Sequence, residues 1–551
     1  MPFGRLIKDT VARRDQIINQ LAAKIGKEQS ARLDVLSGHA ISTLTARETF
    51  FTERQLGVAL KSLFSAHLAA TTKDLPPQSA PQVIDQLVER QIAAVAKDTV
   101  RYPRFQGDDG KPRITTVAMV TAESELEFSA KLLSQSPPRP AETVEAGMQR
   151  FHDNLAQRGL AVDAENAEAM RVLLRNSGLT VFDGPPGAGK STHLGMLAAV
   201  AAEIGQPIVV TASTAMAGAN LAKDIAKAVP AGTEIRHMPL PELLSGLRDR
   251  SVPPSLILAD EAGMIGTRDM AALLRGTRMA GCDAVLTGDL RQQPPAQAGD
   301  PYRTLAAIPG VSMATLSVPR RQRDGADQKA TAQLHAGNAQ PALDHYQAKG
   351  ALTFQAGSVV ETAADTYMAN IAAGKGPTQV ITLDQSTADS VNRAIRDRLG
   401  RAGTDGPAAG DRLYLTAAAM GKNTDGSPRP LAEGTLATVA ETGAGTVVLD
   451  VDGNRTTVAA KDLQARDGFA ITVRDSQCLT IDPITVIERR TDQAETLVAL
   501  SRHRQDVKVI VDAKVYPDTK ALAQDSSRRA DKAMVSDMTA AMKRRSNAQA
   551  R

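Results

Sequence analysis

The residues Gly184–Thr192 have the composition and spacing of a phosphate-binding loop. The segment follows an apolar stretch typical of a strand and begins a stretch typical of a helix, which is the context that such a loop requires. Glycines let backbone N–H groups turn toward phosphate oxygens, and the start of the helix adds positive potential. The pattern predicts nucleotide contacts from all its members, namely Gly184, Pro185, Pro186, Gly187, Ala188, Gly189, Lys190, Ser191 and Thr192. The alternative is a Gly-rich turn with a surface lysine.

Two acidic residues at the end of a second apolar strand complete this candidate site. Asp260 ends the apolar segment Leu256–Asp260, and Glu261 follows it. Lys190 would reach the β- and γ-phosphates, while Ser191 and Asp260 would hold Mg²⁺. Glu261 would orient or deprotonate the attacking water. An Asp-Glu pair alone is often merely solvated, but together with the loop it predicts a nucleoside triphosphate hydrolase with ATP and Mg²⁺ as cofactors.

Composition excludes several other classes of protein. The chain has 551 residues and no Trp, and its two cysteines, Cys282 and Cys478, cannot form a disulfide framework or a four-thiolate metal site. No apolar run is long enough for a membrane span, and the first residues lack the apolar stretch of a secretory signal. We therefore expect a cytoplasmic protein with several cores. Six Tyr and ten Phe offer few platforms for stacking bases, so a nucleic-acid groove would depend on cations and backbone amides.

The net charge of the chain is carried by its last residues. The 65 Lys and Arg exceed the 61 Asp and Glu by four. Residues 521–551 contain seven basic and three acidic residues, a difference that is also four, so the rest of the chain is neutral. Global charge is therefore no argument for a nucleic-acid partner. Residues 517–551 are predicted to be a basic tail, typical of a solvated and mobile end, with a non-specific DNA tether as the alternative.

The first 140 residues are predicted to form a helical segment, 1–40, and a small accessory domain, 41–140. Apolar residues recur at helical spacing in the first of these. In the second, Thr45–Glu48 and Thr52–Gln55 have the side chains of helix capping boxes, and a further helix is predicted over 83–96. The segments Val100–Phe105 and Ile114–Val120 flank a Gly-rich turn and predict a hairpin. Helices followed by a hairpin favour a winged-helix-like domain.

From residue 141 onward, short apolar strands alternate with helices, which predicts an α/β fold with parallel sheets. The first α/β domain, 141–318, contains the phosphate loop. The second is predicted in two parts, 319–404 and 466–516, and the Gly-rich β-strands of 405–465 between them are predicted to form a small inserted barrel. The strands that we predict are Leu179–Asp183, Pro207–Thr211, Leu256–Asp260, Ala284–Thr287, Gln379–Leu383 and Val507–Val511.

An ordered series of further motifs follows the phosphate loop. They are Gly288–Pro295, Arg321 with Gln322, Ala470–Gln477 and Val498–Arg504. With the loop and the Asp-Glu pair, they resemble motifs I to VI of superfamily 1 helicases, in the RecD-like, 5′-to-3′ branch. Within that branch the chain resembles the helicase half of conjugative relaxases of the TraA/TraI kind, over residues 164–516. The resemblance implies two RecA-like P-loop motor domains with an inserted SH3-like barrel. It also implies an ATP-dependent helicase or translocase that moves 5′-to-3′ on single-stranded DNA, in conjugative plasmid transfer or related DNA processing.

The resemblance also implies roles for individual residues. Gln292 would sense the γ-phosphate from the first motor domain, and Arg321 and Arg502 would reach in from the second as arginine fingers. Asn166 would occupy the position that reads the base. Contacts to the DNA strand would come from Thr211, Ser213, Thr214, Ser476, Gln477 and Thr480. Each has an ordinary structural alternative, such as a surface salt bridge for Arg502 or a helix cap for the Thr and Ser cluster.

Three features depart from the family pattern. Asn166 stands where the family has a Gln with one more methylene. In the fifth motif, Arg474 and Asp475 replace His and Lys, and Cys478 replaces Gly, which places a negative charge near a phosphate path unless a neighbour neutralises it. The relaxase half, with its histidine cluster and tyrosine nucleophile, has no counterpart in the first 150 residues, whose histidines and tyrosine are His39, His67 and Tyr102.

We therefore predict no strand-nicking activity, and either a stand-alone motor or the separated C-terminal part of a split transfer enzyme. Its partners would be single-stranded DNA and a separate relaxase or the conjugation machinery. Two other functions stay open. One is a catalytically weakened helicase fold that serves as a single-stranded-DNA-binding module, which the altered fifth motif favours and the complete set of nucleotide-site residues opposes. The other is a P-loop signalling ATPase without DNA, which the neutral charge of the body favours.

Overall fold

The computed structural model describes residues 3–73, 75, 79–107, 111–159, 162–375, 378–401, 406–477, 479–529 and 532–539, with side chains from residue 16 onward. Within these ranges the chain forms two parallel sheets flanked by helices, so the predicted α/β class is confirmed. A helical region precedes the first sheet, and an antiparallel sheet is inserted between strands of the second. Cys478 and residues 108–110 of the predicted hairpin turn lie outside the described residues.

The N-terminal region consists of four long helices, a short hairpin and a fifth helix. Its elements are α1 (Phe3–Glu28), α2 (Ser30–Arg47), α3 (Glu53–Thr72), α4 (Ser79–Lys97), β1 (Arg104–Gln106), β2 (Pro112–Ile114) and α5 (Val117–Leu133). Apolar residues at helical spacing on α1 to α4 meet in one core, where Leu56, Leu60 and Phe64 are fully buried. No helix in the described ranges is both long and apolar enough to span a membrane.

One of the two predicted capping boxes is confirmed. At the start of α3, the Thr52 hydroxyl accepts a hydrogen bond from the Gln55 N–H, and the Gln55 side chain accepts one from the Thr52 N–H. Thr45 instead lies inside α2, where its hydroxyl donates to the Ile41 carbonyl oxygen at 2.9 Å. The capping prediction for Thr45 was wrong because α2 continues to Arg47 and has no orphan amides at this point.

The predicted hairpin is real but shorter than expected. β1 and β2 pair antiparallel over three residues each, whereas residues 117–120 belong to α5 because Thr116 caps that helix by accepting from the Met119 N–H. α5 then buries Leu126 and Ala130 in the core of the lobe that follows. The sequence analysis placed a domain boundary at residue 140, between α5 and that lobe. In the structure, α5 packs into the core of the lobe. The winged-helix likeness of this region stays a prediction.

The first lobe, residues 141–315, is a six-stranded parallel sheet between helices. Its elements are α6 (Ala141–Gln157), α7 (Ala164–Arg175), β3 (Leu179–Asp183), α8 (Lys190–Glu203), β4 (Ile208–Ala212), α9 (Ala215–Ala226), β5 (Ile235–His237), α10 (Leu240–Arg248), β6 (Leu256–Asp260), a 3₁₀ turn (Ala262–Met264), α11 (Thr267–Ala280), β7 (Asp283–Gly288), α12 (Pro301–Ala307) and β8 (Ser312–Thr315). The strand order β5-β4-β6-β7-β3-β8 makes the carboxyl ends of β6, β7 and β3 neighbours. Every residue of β3 and β4 is buried, as expected for strands covered on both faces.

The second lobe, residues 325–526, begins with helices and two strands. These are α13 (Gly325–His335), α14 (Ala339–Ala348), β9 (Leu352–Gln355), α15 (Val359–Ala372), β10 (Gln379–Thr382) and α16 (Gln385–Arg398). A seven-stranded antiparallel sheet of β11 (Arg412–Leu415), β12 (Ala419–Asn423), β13 (Pro428–Leu431), β14 (Leu436–Gly443), β15 (Thr446–Val451), β16 (Asn454–Ala459) and β17 (Ala465–Asp467) is inserted here, with a 3₁₀ turn at Ala460–Asp462. Alternate residues of β15 are buried, so one face of this sheet carries its core. Its closure as an SH3-like barrel stays a prediction.

The chain then returns to the second parallel sheet. The remaining elements are β18 (Ala470–Thr472), β19 (Pro483–Ile487), α17 (Gln493–Leu500), β20 (Lys508–Asp512) and α18 (Thr519–Ser526). The strand order is β18-β10-β19-β20-β9, and all pairs are parallel. All six strands predicted from the sequence are present in the two parallel sheets, and each observed boundary lies within one residue of the predicted one.

The described part of the C-terminal segment is packed against the protein, so the prediction of a solvated tail is wrong there. Leu522 of α18 is fully buried in the second lobe, and Met534 is fully buried in the core of the first. The buried Glu123 carboxylate of α5 accepts hydrogen bonds from the backbone N–H groups of Val535 (2.8 Å) and Ser536 (3.1 Å). The prediction from charge failed because the segment is held by two apolar side chains and a few backbone amides, which a count of charged residues does not register.

Met534→Ala should lower the free energy of unfolding of the first lobe by about 2 kcal/mol, because a fully buried methionine is replaced by a cavity. Urea denaturation monitored by far-ultraviolet circular dichroism would measure the change in the free energy of unfolding. Met420→Ala is the matched control, because Met420 is 62% exposed on the inserted sheet. Equal stability of the two variants would mean that the C-terminal segment does not pack on the first lobe.

Candidate nucleotide site

A cavity of about 550 Å³ lies at the carboxyl ends of β3 and β6. The phosphate loop forms its floor, and the connection between the lobes and the end of α17 supply the facing residues. The predicted site residues that line the cavity are Pro186, Gly187, Ala188, Gly189, Lys190, Ser191, Thr192, Asp260, Glu261, Gln292, Arg321, Thr480 and Arg502. The fold therefore brings together residues that are far apart in the sequence.

The loop has the backbone conformation of an anion site. Gly187 and Gly189 have φ angles of +75° and +98°, a region that side chains with a Cβ rarely adopt. A Cβ on Gly187 would also collide with Arg321. Gly189 is the N-cap of α8, and the N–H groups of Lys190 and Ser191 precede the first hydrogen bond of the helix, which Thr192 donates to the Gly189 carbonyl oxygen at 3.0 Å. This arrangement favours phosphate oxygens.

Lys190 lies folded over the loop. Its ammonium donates to the carbonyl oxygen of Gly184 and, at 3.3 Å, to that of Pro185. Gly184 and Pro185 thus contact the lysine instead of lining the cavity. Burial raises the pKa of the neighbouring Asp183 and Asp260 carboxyls, and the positive charge of Lys190 acts against this rise. A phosphate group could accept from the same ammonium.

The two carboxylates at the end of β6 have different environments. Burial, and then the adjacent charge of Glu261, raise the pKa of Asp260 above its usual value. Asp260 accepts a hydrogen bond from the Glu261 N–H at 2.9 Å. Glu261 has a φ of +48°, the left-handed region, which costs a residue with a side chain on the order of 1–3 kcal/mol. Backbone strain of this kind clusters at functional sites.

The donor set of this cavity fits Mg²⁺. The Ser191 hydroxyl and the Asp260 carboxylate are hard oxygen ligands of the type that Mg²⁺ prefers. A cation beside Asp260 would also offset the burial that raises the pKa of this carboxyl. When bound, the ion would neutralise charge on the phosphates, while Glu261 would remain available to accept a proton from water.

Both predicted arginine fingers meet at Ser501, at the end of α17. The guanidinium of Arg321 donates to the Ser501 carbonyl oxygen at 3.0 Å. Arg502 is 1% exposed, and its Nε donates to the Val498 carbonyl oxygen at 3.1 Å. The expectation that Arg321 comes from the second domain needs correction, because the residue lies in the connection between β8 and α13 and contacts the phosphate loop directly.

Three further arginines that sequence reasoning did not single out line the cavity, namely Arg320, Arg323 and Arg504. Arg320 donates its backbone N–H to the Gly187 carbonyl oxygen at 3.0 Å, and its guanidinium pairs with Asp163. Arg504 lies in the same motif as Arg502. When several arginines are close together in the sequence, the sequence does not show which of them faces the nucleotide, because that depends on the path of the backbone.

The expected base contact of Asn166 is not borne out by the geometry. Its side-chain nitrogen donates to Asp163 Oδ1 at 2.8 Å, and its backbone N–H donates to the same oxygen at 2.8 Å. Asn166 is thus part of the N-terminal cap of α7, and it is 8% exposed. It is absent from the described lining of the cavity. The short side chain of Asn166 therefore contacts Asp163, the N-cap residue of α7, instead of a base.

The first predicted DNA-contacting loop lies at the carboxyl end of β4. Thr211 is fully buried within the sheet, and its hydroxyl oxygen has no hydrogen-bond partner among the described residues, so the DNA contact predicted for it stays a prediction. Thr214 caps α9 by accepting from the Ala217 N–H at 3.2 Å, which is the structural alternative considered for this cluster. The buried hydroxyl oxygen of Ser213 has no hydrogen-bond partner among the described residues. Ser213 is partly exposed, whereas Thr211 is buried, so Ser213 is the strongest candidate of the three.

The second predicted loop follows β18. Ser476 is fully buried, and its hydroxyl donates to the Val473 carbonyl oxygen at 2.7 Å, so it shapes the loop, while its contact to DNA stays a prediction. Gln477 is 4% exposed, and both polar atoms of its amide lack partners in the described part of the chain. Buried polar atoms without partners are rare and call for an explanation, such as a ligand. Thr480 is exposed and lines the nucleotide cavity.

Asp475, the unfavourable charge of this motif, is neutralised by the inserted sheet. Arg466 of β17 forms an ion pair with the Asp475 carboxylate, and its guanidinium lies 4.6 Å from the ring centroid of Tyr414 on β11. The Tyr414 hydroxyl donates to Asp475 at 3.2 Å, and the Thr472 hydroxyl donates to it at 2.8 Å. Asp475 therefore ties its loop to the inserted sheet and does not face a phosphate path unpaired.

A second cavity, of about 1100 Å³, lies between α9, the segment 479–481 and the inserted sheet. We call it the sheet groove. Its lining includes three cationic side chains, Lys223, Arg412 and Arg429, and two acidic ones, Asp450 and Asp452. Asn220 and Thr480 line both this groove and the nucleotide cavity. The two cavities therefore adjoin.

Comparisons with known proteins agree with the resemblance predicted from the motifs. A family model described as an AAA domain matches residues 161–357. The conjugal transfer protein TraA of Rhizobium radiobacter is 24% identical over 506 residues, which cover 89% of this chain and 44% of TraA. TraA of Agrobacterium fabrum is 25% identical over 471 residues, 82% of this chain and 41% of that protein.

A helicase and a solved structure are also similar. The ATP-dependent RecD2 DNA helicase of Deinococcus radiodurans is 29% identical over 210 residues, 37% of this chain and 28% of the helicase. A Pif1 helicase from Bacteroides, solved with ADP-AlF3 and single-stranded DNA, is 15% identical, with a TM-score of 0.44, and the match covers 64% of this chain and 93% of that one. This chain spans less than half the length of the curated relatives that it matches.

Proposed function

We propose that this chain, which is related to the RecD-like helicases of superfamily 1 and to the TraA conjugal transfer proteins, is an ATP-driven motor that moves along single-stranded DNA and separates duplexes. The observation that carries the proposal is the composition of the nucleotide cavity. The phosphate loop, Asp260 and Glu261 come from the first lobe, while Arg502 comes from the second. A nucleotide in this cavity would contact both lobes.

A nucleotide shared by two lobes can convert hydrolysis into movement. Closure would bring Arg321 and Arg502 toward the charge that develops on the transferred phosphoryl group. Loss of that group would remove their shared partner and let the lobes separate. If each lobe holds the DNA strand, the alternation of closed and open states moves one grip relative to the other.

The sheet groove offers a path for the strand. It adjoins the nucleotide cavity at Asn220 and Thr480, so occupancy of one cavity can affect the other. Lys223, Arg412 and Arg429 supply positive charge for phosphates. The unpartnered polar atoms of Ser213 and Gln477 support contacts to the strand near this groove, one from each lobe.

We further propose 5′-to-3′ movement and a role in conjugative plasmid transfer, both on the likeness to the RecD-like branch and to TraA. The partners would be single-stranded DNA and a separate relaxase or other conjugation proteins. The competing function, a binding module without turnover, is less well supported, because Asp475 is neutralised and the nucleotide cavity has a complete set of side chains.

Single-stranded DNA should stimulate ATP hydrolysis by this protein several-fold, because a strand held by both lobes favours the closed state that assembles the site. Phosphate release with and without an oligonucleotide measures the effect, and duplexes with a 5′ or a 3′ overhang test direction. DNA binding without hydrolysis would support the binding module. Unwinding from the 3′ overhang alone would contradict the proposed polarity.

A further inference from the structure

A shielded hydrogen bond joins the two lobes outside the nucleotide cavity. His335 is the last residue of α13, and its Nε2 lies 2.9 Å from Oδ1 of Asp289, which follows β7. The Asp289 side chain is 1% exposed and that of His335 is 17% exposed, so water competes little for the contact. An ionised carboxylate has no proton to give, so the histidine is the donor.

Asp289 shapes the turn that carries Gln292. Oδ1 of Asp289 also accepts from the Arg291 N–H at 2.9 Å, and its carbonyl oxygen accepts from the Gln292 N–H at 3.1 Å. The Leu290 N–H donates to Asp183, at the end of β3, at 2.7 Å. The turn is therefore fixed through Asp289 and Asp183. Gln292 projects from it into the lining of the nucleotide cavity.

Asp289 depends electrostatically on His335. Burial, and then the charge of Asp289, raise the pKa of Asp183, so the two carboxyls oppose each other's ionisation. Burial acts in the same direction on Asp289, but the hydrogen bond and charge of His335 hold the pKa of the Asp289 carboxyl below its usual value. Oδ2 of Asp289 has no hydrogen-bond partner among the described residues. Parting of the lobes would remove this donor and leave the Arg291 N–H as the hydrogen-bond partner of the Asp289 carboxylate among the described residues.

We propose that His335 is a positioning residue of the motor, which holds Asp289 and thereby sets Gln292 in its working position only while the lobes are closed. The inference rests on the proposed function, since it assigns His335 a part in ATP hydrolysis. Through this hydrogen bond, closure of the second lobe would fix the position of Gln292 at the γ-phosphate end of the cavity. His335 itself does not line the cavity as described, so it acts through Asp289.

The test compares His335→Ala with His335→Gln in ATP hydrolysis at saturating single-stranded DNA. His335→Ala should lower kcat about tenfold, the effect of losing one shielded hydrogen bond to a charged group. KM for ATP should stay near the wild-type value, because the phosphate loop and Lys190 are untouched. His335→Gln should restore much of kcat, because its amide can donate to Asp289. His152→Ala, on the exposed face of α6, is the matched control.

A double substitution separates this role from a general structural one. In the background of Asp289→Ala, removal of His335 should lower kcat little further, because both changes break the same link. Melting temperatures of all variants would expose loss of folding. An active wild type whose kcat is unchanged by His335→Ala overturns this inference alone, as does a fall in both variants that follows the melting temperature. A wild type that hydrolyses no ATP overturns the proposed function and this inference with it.

Discussion

Lys190→Ala should lower kcat/KM for ATP hydrolysis roughly 10²–10³-fold, the range measured when a single preorganised contact to developing charge is removed. Lys190 is the cationic side chain that lies over the phosphate loop, with its ammonium on the carbonyl oxygens of Gly184 and Pro185. A nucleotide could take these hydrogen bonds over without a change in the loop. Alanine leaves the anion site with backbone amides and without this charge.

The measurement is phosphate release over a range of ATP concentrations with single-stranded DNA present. Lys131→Ala is the matched control, because Lys131 is half exposed on α5 and pairs with Glu127 at 2.6 Å, away from the cavity. Binding of single-stranded DNA without nucleotide should be the same in all three proteins. Hydrolysis by Lys190→Ala at the wild-type rate would mean that the loop does not hold the phosphates.

The parallel sheets and the phosphate loop could be read from the sequence because their signals are local. Strands such as Leu256–Asp260 are buried on both faces, so they are continuous apolar runs with polar ends. The loop needs glycines at positions where a Cβ would strain the backbone or collide with Arg321. The composition of a few residues therefore determines both the conformation and its chemistry.

The corrected predictions concern side chains whose partners are set by short-range competition. Asn166 has the amide of a base reader, but Asp163 lies three residues before it, and this spacing is that of a helix cap. Thr214 likewise bonds the first turn of α9. In both cases the sequence contained the capping signal. The functional interpretation came from the resemblance of the motifs to the helicase family, which does not show where a side chain points.

Contacts between different elements of the fold left no signal of this kind. The pairs Arg466–Asp475 and His335–Asp289 join residues on different elements of the fold. In the sequence, nothing distinguishes each of these residues from an ordinary exposed polar side chain. The segment 532–539 is similar, since it lies within the basic C-terminal stretch and its two buried apolar residues, Met534 and Val535, do not stand out from the composition of a tail. These features follow from the assembled tertiary structure and not from local pattern.

Arg502→Ala should lower kcat for ATP hydrolysis about 10³-fold, the lower end of the effect of an arginine finger, while ATP still binds. Arg502 lines the nucleotide cavity from the second lobe and is held at the end of α17 by the Val498 carbonyl oxygen. Arg502→Lys should recover little activity, because an ammonium cannot reproduce the planar fork of a guanidinium. Arg455→Ala, on the exposed ion pair with Glu441, is the matched control.

Arg502 is buried, so its removal could destabilise the second lobe, and Arg321 provides an independent test of the same role. Arg321 is partly exposed on the connection between the lobes and donates to the Ser501 carbonyl oxygen. Arg321→Ala should also lower kcat by a large factor with little change in ATP binding. If both arginines stabilise the same developing charge, the double variant should lose less than the product of the two single effects. Wild-type kcat in Arg321→Ala, or ATP binding lost together with kcat in both single variants, would place these side chains outside the chemical step.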